Sequence, residues 1–124
     1  MFSHYLATAL GGGLGAVARV ALSRCLPHAI LGIPVQILLV NVVGCFLMGL
    51  LAELLAFYLT TSDVFRYFLI PGFLGGFTTF SAFSLEFGLL FQKQQYSLAL
   101  WYVLSSFALS LLMFFAGTRL IKLF

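Results

Sequence analysis

No charged residue occurs from Val35 to Ala52, and the apolar run continues past Glu53 to Tyr58. Crossing the hydrocarbon core of a bilayer takes about 20 mostly apolar residues in a helix. Three other runs meet the same requirement, from about Tyr5 to Ala21, about Phe65 to Phe91 and about Tyr96 to Ala116. The expected fold is therefore all-α, a single transmembrane domain of four helices over residues 1–124. Only 7% of residues carry a charge, against about 25% in a soluble domain. That is too few to coat a water-facing surface. Short loops leave no room for a catalytic or receptor domain. The start of the chain lacks a basic cluster and an A-x-A-like cleavage site, so it does not read as a secretory signal.

Other chemistries find little support. Cys25 and Cys45 lie far apart and outside any CxxC pattern, which suits reduced packing cysteines. His4 and His28 have no ligand-spaced neighbours, so a site of metal-binding side chains is not expected. The six basic residues are scattered rather than clustered, which argues against nucleic acid as a partner. The lipid bilayer is the expected environment.

Counting Lys and Arg by side gives almost no bias. Arg66, Arg119 and Lys122 share one side; Arg24 and Lys93, with Arg19 if it lies near the helix end, share the other. Two readings follow: insertion in both orientations, permitting an antiparallel dimer, or a weakly biased single orientation.

Polar groups inside a span are costly and face protein or a water-filled cavity. Asn41 reads either as a helix–helix hydrogen bond or as a donor for a permeating anion. The third span contains Pro71-Gly72-Phe73-Leu74-Gly75-Gly76-Phe77-Thr78-Thr79. Proline removes a backbone donor, glycine weakens a helix and threonine hydroxyls compete for backbone groups. These glycines could also form a packing seam, but glycine, proline and paired threonines together favour a break mid-membrane near residues 75–79. Freed carbonyls at such a break can hold a cation, and freed N–H groups an anion. Gly11-Gly12-Gly13-Leu14-Gly15 of the first span reads instead as a packing seam. Thr60, Thr61, Ser62 and Asp63 form an N-cap cluster for the third helix, and Pro34 sits where the second should start.

Phe80 and Phe83 follow the break, three residues apart and on one helix face. They are ordinary packing residues, or rings whose positive edges face an anion. Tyr102, Ser106 and Ser110 place three hydroxyls on one stripe, either bonded to their own backbone or lining a path. Arg19 either snorkels or draws anions into a vestibule. Glu86, on nearly the same face as Phe83, either reaches the interface or lines a pore mouth.

Three segments in order, Gly11 to Arg19, Asn41 to Gly49 and Gly72 to Ser84, resemble the CrcB/Fluc fluoride channels. The similarity covers nearly the whole chain, and Gly75-Gly76-Phe77-Thr78-Thr79-Phe80-Ser81 is its most specific part. The resemblance implies a passive fluoride channel in the cytoplasmic membrane of a bacterium or other microbe, which lowers cytoplasmic fluoride. It implies an antiparallel, dual-topology homodimer with two pores and a structural sodium ion at the dimer centre. Asn41, Tyr102, Ser106 and Ser110 match pore-lining positions, and Phe80 and Phe83 the phenylalanines whose edges face fluoride. The carbonyls of Gly75 and Thr78 from both subunits match the sodium ligands. Arg19 and Glu86 match a first-helix arginine and a third-helix glutamate. Gln36, Ile37 and Phe114 depart from the pattern, where many members carry Gly, Thr and a polar residue.

Such a channel is not an enzyme. A small multidrug exporter, the nearest rival with four helices, needs a glutamate inside the first span, and none is present there. A non-conducting subunit of a larger complex would show no flux of its own.

Overall fold

The computed structural model describes all 124 residues. Four helical spans run Phe2–Arg24, Gln36–Tyr58, Asp63–Gln92 and Tyr96–Lys122, each long and apolar enough to cross a membrane. The first helix, α1 (Phe2–Arg24), continues one turn beyond the predicted Ala21. The last continues past Ala116 to Lys122. Hydropathy locates the part of a helix that sits in lipid, whereas backbone bonding carries the helix on into the polar interface.

Between the first two spans lies a minimal hairpin, β1 (Ala29–Ile30) against β2 (Ile33–Pro34), paired antiparallel. Leu31 and Gly32 turn it with φ of 56° and 85°, the left-handed pair that suits a two-residue hairpin loop. Pro34 thus ends a strand rather than starting the helix. Helix α2 (Gln36–Glu53) begins two residues later, and Gln36 Nε2 donates to the Leu26 carbonyl at 3.1 Å, closing the loop. The span ends in a wide π-helical turn, Leu54–Tyr58. Arg66 caps that turn by donating to the Leu55 carbonyl at 2.8 Å.

The third span is composite. Ser62 caps α3 (Asp63–Tyr67) by accepting from the Phe65 N–H. A π-helical stretch, Phe68–Leu74, contains Pro71. The wider i→i+5 turn absorbs the missing proline donor without ending the helix. A short α4 (Gly75–Phe77) follows. Thr78 and Thr79 are extended, with φ/ψ of −85°/155° and −153°/125°. Helix α5 (Phe80–Gln92) then resumes, and α6 (Tyr96–Lys122) forms the fourth span. The break is therefore narrower than the sequence suggests. Gly75 and Gly76 stay helical, and the two threonines alone leave the helix.

The glycines serve a different purpose. A Cβ built on Gly11 would lie 2.1 Å from the Phe68 carbonyl oxygen, and one on Gly15 would lie 2.0 Å from that of Phe73. A Cβ on Gly76 would in turn lie 2.4 Å from the Gly12 carbonyl oxygen. Backbone thus meets backbone along α1 and the first half of the third span. A second seam joins α2 to α6, where Gly49 faces the Phe114 carbonyl and Gly117 that of Phe46. In lipid there is no hydrophobic drive between helices, so close approach supplies the dispersion contacts that hold them. Large apolar side chains from Phe2 to Leu123 remain exposed on the outer faces, as a lipid-embedded chain requires.

This contrast gives a direct test. Gly15→Ala forces a methyl group into backbone and should destabilise the protein by about 1–3 kcal/mol. Gly13 has nothing within 4 Å of an added Cβ, so Gly13→Ala should leave stability unchanged or raise it by up to about 1 kcal/mol. Thermal unfolding of the purified protein in detergent reads both.

Candidate functional site

The extended step at Thr78 and Thr79 would leave backbone groups without partners inside the membrane. Asn41, on α2, meets that need. Its Oδ1 accepts from the Thr79 N–H at 2.8 Å, and its Nδ2 donates to the Thr79 carbonyl at 2.9 Å. The amide thereby imitates a passing strand. One of its two N–H groups is used, and the other is left over. Of the two sequence readings for Asn41, the helix–helix bond is present, and the spare N–H keeps the donor reading open.

The threonines complete the break. Thr78 Oγ1 donates to the Leu74 carbonyl at 2.9 Å. Thr79 Oγ1 caps α5 by accepting from the Ala82 N–H at 3.2 Å. These diversions free two carbonyls from their α-helical partners. The Thr79 N–H, which would serve Gly75, goes to Asn41, and the Ala82 N–H, which would serve Thr78, goes to Thr79. The Thr78 carbonyl accepts no hydrogen bond from the chain. Gly75 lies on the exposed surface of the span.

Beside the break lies a cavity of about 350 Å³. Asn41, Phe80, Phe83, Ser106 and Ser110 all line it, so five of the ten predicted site residues converge there with Thr78 as a sixth. Ser106 is 8% exposed, and its hydroxyl is buried with no partner. A buried hydroxyl left unbonded costs free energy, about 1–3 kcal/mol. Phe83 is buried, its ring centroid 5.2 Å from Phe80 and 5.9 Å from Phe107, the latter edge-on at 83°.

The other predicted residues stand apart. Tyr102 shares the α6 stripe but not the cavity wall. It is fully buried, stacked on Phe83 at 5.1 Å, and its hydroxyl donates to Glu86 Oε2 at 2.6 Å. The stripe thus divides into two serines that belong to the cavity wall and a tyrosine bonded to a carboxylate. Arg19, half-buried on α1, and Gly75 are also outside the lining. Met48, Phe107 and Leu111 line the wall without having been singled out from sequence, and Cys45, read there as a packing residue, lines it too. Helical spacing gives the signal for them: Cys45 and Met48 follow Asn41 by four and seven residues, and Phe114 continues the Ser106–Ser110 stripe by four. Phe114, where the polar track was expected to change, does line the cavity.

Residues 6–118 match the family model described as CrcB-like protein, Camphor Resistance (CrcB). The chain is 46% identical over 123 residues to the fluoride-specific ion channel FluC of Chelativorans sp. (strain BNC1), covering 96% of each. It is 47% identical over 118 residues to FluC of Rhodospirillum centenum, covering 94% of each. With fluoride-specific ion channel FluC 2 of Nitrobacter hamburgensis it shares 40% over 120 residues, 96% of this chain and 97% of that one.

The double bond of Asn41 to Thr79 makes a quantitative expectation. Asn41→Ala strips both bonds and strands the Thr79 N–H and C=O in a half-buried site. It should lower stability by about 2 kcal/mol or more. Asn41→Gln keeps both amide groups but displaces them by one methylene, so it should fall between wild type and Asn41→Ala. Unfolding midpoints in one detergent rank the three proteins, and a wild-type midpoint for Asn41→Ala would exclude the amide as the support of the break.

Proposed function

The chain belongs to the CrcB-like family, and on that premise we propose that it is a fluoride-selective, passive ion channel that lets fluoride leave the cytoplasm. It is a multi-pass membrane protein with four spans. The observation that carries the proposal is the convergence of Asn41, Phe80, Phe83, Ser106 and Ser110 on one cavity beside the break in the third span.

Fluoride is small and strongly hydrated. A path selective for it must replace its water with donors at close range, as selectivity filters do for other ions. The spare Asn41 N–H and the Ser110 hydroxyl are such donors, and rotation of the Ser106 side chain would add a third. The edges of the Phe80 and Phe83 rings carry partial positive charge and attract an anion without the full charge that would trap it. Chloride is larger and a weaker hydrogen-bond acceptor, so the same donors offset less of its dehydration. Tyr102 and Glu86 lie behind Phe83, and their bond fixes the ring against which Phe83 stacks. Arg19 would raise the anion concentration at a pore entrance. No bond is made or broken in this passage, so no enzyme chemistry is involved.

The working unit in this reading is an antiparallel homodimer with two pores. The near-equal cation count on the two sides supports dual insertion, and a cavity open on one flank of a single chain supports a second copy closing it. A structural sodium ion would sit where the two breaks meet. The donor set fits a hard monovalent cation: the Thr78 carbonyl is unbonded, the Gly75 carbonyl has lost its α-helical donor, and Gly75 faces outward. Unwound carbonyls are suited to coordinating sodium. Bound there, the ion would supply positive potential to the nearby anion path.

Liposomes containing only this protein should release fluoride, read with a fluoride electrode, and retain chloride. Efflux should not depend on a pH gradient; proton-dependent flux would indicate an exporter, and no flux above empty vesicles would sink the channel. Phe83→Ile should cut the rate at least ten-fold while the dimer persists on size exclusion. The central cation has its own test. Replacing sodium by N-methylglucamine on both sides should slow or stop fluoride efflux, and indifference to the cation would argue against the site.

A further inference from the structure

Two sulfur atoms in the cavity wall have no part in the fluoride path. Cys45 and Met48 are three residues apart on α2, hence on one face of the helix, and both line the cavity. Cys45 is a half-buried free thiol. The lining contains no carboxylate and no imidazole, so a hard or borderline divalent ion finds no ligand set there. A thiolate with a thioether is, by contrast, the donor pair that selects soft monovalent cations such as Cu(I). Charge favours the same class. A thiol that gives its proton to water and takes a monovalent cation leaves a neutral unit, which is far cheaper in an apolar wall than a net charge.

We propose that Cys45 and Met48 form a binding site for a soft monovalent cation of the Cu(I)/Ag(I) class, and that its occupation obstructs the fluoride path. The site rests on the cavity itself. The obstruction rests on the channel reading, since the cation would lie one to two helical turns from Asn41 on the same stripe.

Ag(I) in chloride-free buffer is a redox-inert probe. Cys25→Ser removes the other thiol, which is exposed at the end of α1. The purified Cys25→Ser protein should bind one Ag(I) per chain by equilibrium dialysis. Adding Met48→Leu, which nearly conserves volume, should weaken binding at least ten-fold, and adding Cys45→Ala should abolish it. In liposomes, Ag(I) should stop fluoride efflux through Cys25→Ser, and dimercaptopropanol should restore it. Absence of binding, or affinity indifferent to Met48→Leu, overturns the site. Met48-dependent binding with undiminished efflux overturns the obstruction. Met48-dependent binding by a protein that never releases fluoride would uphold the site and fail the channel.

Discussion

Everything specific to this molecule depends on the amide of Asn41 lying against the backbone of Thr79. Lipid offers no water to backbone groups, so a two-residue extended step in a span is tolerable only if another side chain replaces the lost helical bonds. Asn41 does so with one acceptor and one donor. The same pairing sets the geometry around it. It turns the chain so that α5 restarts with Phe80 and Phe83 against the cavity, and it releases the Thr78 carbonyl from the helix. A single polar residue thus fixes the position of an aromatic wall, a donor group and a free carbonyl.

That arrangement needs a rigid frame, and the frame is made of backbone. Gly11 and Gly15 bring α1 into contact with the carbonyls of the third span, and Gly49 and Gly117 do the same for α2 and α6. The two seams use small residues where a soluble protein would use interlocking large ones. Large side chains are consequently freed for the outer faces, where Leu, Phe and Val meet lipid. The cavity lies between the frame and α5, with α2 and α6 supplying most of its wall.

Much of this was legible in the sequence because lipid simplifies the code. Four uncharged runs demand four helices, and an Asn or a Pro inside one stands out. The Thr78–Thr79 break was anticipated in place and in the diversion of the threonine hydroxyls to the backbone, but not in the part given to the glycines. Glycines have low helix propensity, yet Gly72, Gly75 and Gly76 remain helical, because tertiary contact at Gly72 and Gly76 rewards the absence of a Cβ. The partner of Asn41 lies 38 residues away, a relation no local pattern contains. The hydroxyl stripe of α6 was correctly spaced, but spacing does not say that a carboxylate from α5 reaches Tyr102 first. The tight hairpin before α2 escaped notice because its strands are two residues long.

The two halves of the third span are held very differently. The half before the break is clamped to α1 by the glycine seam, whereas α5 is attached mainly through side chains, Phe83 and the Glu86–Tyr102 bond among them. Two extended residues separate a clamped segment from a lightly tethered one. Mechanically this has the form of a joint: at Thr78 and Thr79 the third span lacks the continuous helical bonding of a rod, and the link between its halves is two extended residues. The aromatic wall is therefore mounted on the far side of that joint from the glycine seam, and the Asn41 amide is the pin that bridges it to α2.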